Sequence, residues 1–172
     1  IQTFKGNISQ NNVSIGIFAD SDTRITQLSD NQIIGNGNRG IVLQGTTVEI
    51  LTNNTIQKNG EIGIIASLAQ ITEFSDNQII QNRDDGIQLQ GTTVEKLFNN
   101  IIRVNERYGI TAFSGTQITQ LSNNQIIENK NRGMDLESAT VDSLINNTIQ
   151  NNGGDGVFTS PAVIQQFSHN II

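Results

Sequence analysis

The chain has 172 residues, a formal charge of −6, no cysteine and no tryptophan. The acidic balance excludes nucleic acid and anionic membranes as partners, because phosphate binding needs clustered Lys and Arg. Without cysteine there is no disulfide or thiolate metal centre, and no apolar run nears the ~18 residues needed for membrane insertion.

The predicted elements repeat along the chain. The first piece carries Ile1 and Phe4; Asn7, Asn12 and Gly16 follow, then the apolar run Ile17-Phe18-Ala19. The pattern restarts at Ile25 with Leu28, Asn31, Ile33, Asn36, Gly40 and Ile41-Val42-Leu43. It returns at Val48 (Leu51, Asn54, Ile56, Asn59, Gly63) and at Ile71 (Phe74, Asn77, Ile79, Asn82, Gly86, then Ile87-Gln88-Leu89). The fifth copy starts at Val94 (Leu97, Asn100, Ile102, Asn105, Gly109) and the sixth at Ile118 (Leu121, Asn124, Ile126, Asn129, Gly133). The seventh starts at Val141 (Leu144, Asn147, Ile149, Asn152, Gly156), and the eighth holds Ile164, Phe167 and Asn170 before Ile172. Each step is 23 or 24 residues.

These apolar pieces are strand-length, near period 2, and broken by Asn and Gly. Helices fail because β-branched residues dominate and Asn or Gly interrupts every candidate turn. A coil of this length holds about three short strands, and coils stack at about 4.8 Å, each burying its apolar face against its neighbours. The sequence therefore predicts an all-β fold: a right-handed single-stranded parallel β-helix, a solenoid of seven full coils and a partial eighth. It spans 1–172 as one domain. A left-handed hexapeptide helix needs about 18 residues per coil and lacks this pattern. The calcium-binding nonapeptide repeat needs its glycines iterated, and Gly153-Gly154-Asp155-Gly156 occurs once.

A second period lies on the first. Three residues after each Gly the column reads Ala19, Leu43, Ala66, Leu89, Ala112, Leu136, Thr159. Large and small alternate, as interdigitating layers require. The two Asn columns read as ladders: each amide bonds the amides above and below, and Asn tolerates the left-handed backbone of sharp turns.

The pattern Asn-x-Ile, then Asn, then Gly-Ile-x-Leu resembles the parallel β-helix repeats of the pectate-lyase-like superfamily, over essentially the whole chain. That resemblance implies the fold. It implies little about activity, because the superfamily includes polysaccharide lyases, glycoside hydrolases, epimerases, tailspikes, adhesins and passive scaffolds. Its catalytic signatures do not carry over. Asp84-Asp85 resembles the Asp-Asp pair of polygalacturonase-like hydrolases only loosely. Ser168-His169-Asn170 lacks the Gly of their Ser-His-Gly, and their Arg-x-Lys is absent. The Asp-Pro-His-Glu motif of alginate epimerases is missing too, since Pro161 is the sole proline. His169 sits just before a ladder Asn and reads as a turn residue.

Two loci carry candidate chemistry. Between the second Asn and the Gly, coils three to six place Glu61, Asp84, Asp85, Arg107, Tyr108 and Arg132 in adjoining columns, one of which continues to Asp155. Opposite charges alternate up this stack, which suits charge-compensated turns. It also suits a shallow carbohydrate-binding site, with Tyr108 as platform and Glu61, Asp84, Asp85 and Arg107 as polar contacts. The second locus is Asp135 with Glu137, expected on the outward, solvated face of their strand. Asp84, Asp85, Asp135 and Glu137 are the catalytic candidates, since a glycosidase needs two carboxyls about 5 to 9.5 Å apart.

Insertions are single residues, near Asp22-Thr23-Arg24 and Ser114-Gly115-Thr116. With no loops to wall a cleft, the expectation leans away from an enzyme. Scattered outward apolar residues (Phe18, Val42, Ile65, Phe98, Ile145, Phe158) and open ends suggest assembly. Thr46-Thr47, Thr92-Thr93 and Thr116 suggest an ice-binding face, which Ala69 breaks. The start at Ile1 without Met reads as a processed product or an excised piece.

The functional expectation is a non-catalytic structural or adhesive rod, part of a longer bacterial extracellular, surface or filament-forming protein. Its expected partners are a glycan, a cell surface or further copies stacked end to end. The alternative is a polysaccharide lyase, a glycoside hydrolase or a carbohydrate-binding module. No cofactor or metal is expected, and Ca²⁺ only for a lyase.

Overall fold

The computed structural model describes residues 2–172; Ile1, first of the β-branched column, lies outside the described residues. The described residues form 22 strands and no helix. The strands make three parallel sheets, in each of which every strand pairs with those of the adjacent coils. Sheet A has eight strands, from Thr3–Lys5 to Val163–Ser168. Sheet B has seven, from Ile8–Gln10 to Thr148–Gln150, and sheet C has seven, from Ile17–Ala19 to Val157–Thr159. The expected parallel β-helix, with a partial last coil, is what the chain forms.

Register follows the columns. Ile71 pairs with Val48 on one side and Val94 on the other, and Leu97 pairs with Phe74 and Leu121. The inward columns are buried through the middle coils: Leu43, Ala66, Leu89, Ala112 and Leu136 are all fully covered, so the large and small layers do interdigitate. Thr159, at the end of that column, is exposed.

The Asn ladders are richer than amide stacking alone. Asn54 Nδ2 donates to Asn77 Oδ1 at 2.9 Å and to the Leu28 carbonyl at 2.9 Å, while the Asn54 backbone N–H also donates to Asn77 Oδ1. The second ladder repeats this, as in Asn82 donating to Asn105 Oδ1 at 3.1 Å and the Ile56 carbonyl at 3.3 Å. Buried amides are thus satisfied on both sides. The left-handed residue is the one before each ladder Asn, which corrects the expectation that Asn itself takes that conformation. Asp30, Asn53, Asp76, Asn99, Asn123, Asn146 and His169 all have φ near +55°. The repeat imposes this even on Val104 (φ 57°), where a branched side chain makes it costly.

The Gly column exists for space. A Cβ on Gly109 would sit 2.4 Å from Ile126 Cγ2 and 2.6 Å from the Gly133 carbonyl. Of the Thr residues read as an ice-binding face, Thr47 is half-buried and Thr93 exposed, but the other three turn inward. Thr46, Thr92 and Thr116 are buried, and their hydroxyls donate to the carbonyls of Ala19, Ala66 and Leu89.

Candidate functional site

Along each sheet C strand the middle residue points away from the core. From coil one to coil seven this outer column reads Phe18, Val42, Ile65, Gln88, Thr111, Asp135, Phe158. Several of these are nevertheless covered: Val42 is 6%, Thr111 8% and Asp135 7% exposed. The expectation that Asp135 and Val42 stand solvated on an outward face is therefore corrected. Side chains rising on either side of the column shield it.

In coils four to six this shielding opens into a groove of about 300 Å³. Its floor is Gln88, Thr111 and Asp135; Asp85, Arg107, Tyr108 and Arg132 stand on one side, Phe113 and Glu137 on the other. The absence of long loops suggested that nothing could wall a cleft. Turn side chains do so instead, and the single-residue insertion at Ser114-Gly115 follows directly on Phe113. That insertion closes as a tight turn, Thr116 N–H donating to the Phe113 carbonyl at 3.2 Å, with Ser114 and Gly115 both left-handed.

The two loci legible in the sequence meet here. Asp85 is 1% exposed. Its Oδ2 accepts from the Thr111 hydroxyl at 2.7 Å and its Oδ1 from the Tyr108 backbone N–H at 3.2 Å. Thr111 pairs with Asp135 one strand above, a spacing of about 4.8 Å. Burial raises the Asp85 pKa above the usual carboxylate value and the Asp84 charge adds to this, against the Thr111 and Tyr108 hydrogen bonds and Arg107. Arg107 lies 3.5 Å from Asp84 and 3.9 Å from Asp85, with its guanidinium over the Tyr108 ring at 4.7 Å.

Arg132, prominent in the structure but given no role among the sequence candidates, organises the upper half. Its Nη1 meets Asp135 Oδ2 at 2.7 Å, its Nε meets Asp155 Oδ2 at 3.0 Å, and it lies 3.7 Å over the Phe158 ring. The Asp135 hydrogen bond foremost, though opposed by partial burial, raises the Arg132 pKa and keeps it charged. Asp135 Oδ1 is buried without a hydrogen-bond partner among the described residues.

Other candidates fall elsewhere. Glu61 pairs with Arg39 at 3.1 Å and does not line the groove. Asp84 also stands outside the lining, behind Arg107. Thr111 and Phe113 were not among the sequence candidates, and Arg132 stood in the charged stack without a role. The column register was available to place them, but their burial and pairing were not. No group of three or more His, Asp or Glu suited to a metal occurs among the described residues. A second hollow, lined by Lys58, Gln81, Val104, Glu106, Glu128 and Lys130, has neither an aromatic nor an orphaned polar atom.

Comparison with known proteins gives a family and a fold. The model described as "Right handed beta helix region" matches residues 2–145. The solved structure of the periplasmic alginate epimerase AlgG is similar with a TM-score of 0.74 at 14% identity, over 99% of this chain. The chain spans 47% of AlgG, so the likeness is one of fold. No curated protein sequence matches the chain.

Proposed function

The chain belongs to the right-handed β-helix family, and on that premise we propose that it is a non-catalytic adhesive rod that binds carbohydrate through the sheet C groove. The observation that carries this reading is the convergence of Tyr108, Phe113, Arg107, Arg132, Asp135 and Glu137 on one open groove of an otherwise regular solenoid. Aromatic faces with convergent polar groups are what sugar rings require. Catalysis is poorly served by the same groups. Asp85 is buried with both oxygens hydrogen-bonded, and Asp135 is held by Arg132. Glu137 is the only lining carboxylate that is exposed. An extracellular or surface location, as part of a longer filament-forming or adhesive protein, fits a rod whose work is attachment.

The test is a glycan array followed by titration calorimetry on a hit. Tyr108→Ala is expected to weaken binding about tenfold, roughly 1.4 kcal/mol. A blank array, or unchanged affinity in Tyr108→Ala, sinks the reading.

One feature favours the alternative, a polysaccharide-active module. The raised pKa of Asp85 beside a second carboxylate is an acid–base motif, and AlgG is an alginate epimerase. A screen for reducing-sugar and unsaturated products on uronate polysaccharides, with and without Ca²⁺, decides it. Activity abolished by Asp84→Ala and Asp85→Ala would replace the adhesive reading.

A further inference from the structure

Resting on the groove being a glycan site, we infer that it takes sugars presenting hydroxyl or ammonium donors and turns away uronates, with Glu137 as the residue that decides. Both arginines in the groove are already committed. Arg132 is shared between Asp135 and Asp155, and Arg107 between Asp84 and Asp85. Neither therefore brings an uncompensated positive charge to an incoming carboxylate.

The groups left over are acceptors. Asp135 Oδ1 is buried and unpartnered while the side chain is 9% exposed. Arg132 compensates the Asp135 charge, which leaves Glu137 as the unpaired carboxylate of the lining. Glu137 is exposed on the wall and pairs with no cation among the described residues. The lining holds three carboxylates against two guanidiniums. A uronate laid along it would set like charges side by side, whereas a hydroxyl or an ammonium would supply the donor that the exposed Glu137 carboxylate lacks.

Geometry sets the unit. The floor residues Gln88, Thr111 and Asp135 belong to successive strands, so the groove runs along the rod axis for about 10 Å. That length suits a disaccharide stretch lying between Tyr108 and Phe113. Glu137 lies one coil beyond Phe113 on the same wall.

The experiment is calorimetry of the whole chain with cellotetraose, a chitosan tetramer and tetragalacturonate, at low and moderate salt. Either of the first two is expected to bind about tenfold tighter than the uronate, the scale of one exposed like-charge repulsion. Glu137→Gln is expected to shrink that ratio and Glu137→Lys to invert it. Glu137 is exposed, so circular dichroism should show both variants folded. Tetragalacturonate binding most tightly, or a ratio that Glu137→Lys leaves unchanged, overturns the selectivity while leaving the groove a glycan site. No binding of any of the three, together with a blank glycan array, removes the glycan reading and this inference with it.

Discussion

The Asn ladders and the sheet C groove share one backbone period but follow opposite rules. In the ladders every coil carries the same residue, from Asn31 to Asn147 and from Asn36 to Asn129, and every amide is bonded up and down. In the groove no two coils agree: Gln88, Thr111 and Asp135 occupy one column, and Asp85, Tyr108 and Arg132 the next. Repetition marks what the solenoid needs in order to stack. Its local loss marks where the surface is free to recognise something else.

The largest test of that contrast is Asn77→Leu. Asn77 Oδ1 accepts from Asn54, and its Nδ2 donates to Asn100 and to the Leu51 and Ser75 carbonyls. Removal orphans several buried groups at once, so urea unfolding should report a loss of about 3 to 5 kcal/mol. A loss below about 1 kcal/mol would mean that the ladder is no more than a decorated turn.

Asp85→Asn sharpens the groove side. Because burial raises the Asp85 pKa above its ordinary 3.8, the folded chain keeps this proton to higher pH than the unfolded chain does. The stability this group contributes is full below that ordinary value and is lost as pH rises through the folded one. Wild type is therefore expected to lose stability relative to Asp85→Asn as pH climbs out of the carboxylate range. The difference should flatten once Asp85 is ionised in both states. Parallel stability curves from pH titration of the melting temperature would show that burial imposes nothing on Asp85.

Glu61→Gln has the smallest expected effect. Its pair with Arg39 is 41% and 44% exposed, so at most about 0.5 kcal/mol is at stake. Glycan affinity should not move, because Glu61 lies outside the lining. A measurable affinity loss would extend the groove down to coil three.

Much of this was legible in the residues. Asp84, Asp85, Arg107 and Tyr108 stood out as a charged interruption of a regular pattern, and Asp135 with Glu137 as a second. Their union was not legible, because it depends on which side chains of coils four to six stand beside one another across neighbouring columns. Nor was the burial of Asp135, which comes from its neighbours and not from its own strand pattern.

The sequence by itself determined the coil, its length, the alternating core layers and both ladders. Each is a periodic property, and a period is carried by every copy. Only the stacked structure decided that Thr46, Thr92 and Thr116 face inward, that the residue before each ladder Asn takes the left-handed turn, and that the two charged loci share one groove. Those outcomes depend on which side chains of adjacent coils stand beside one another, and that is fixed by sheet register at about 4.8 Å per coil.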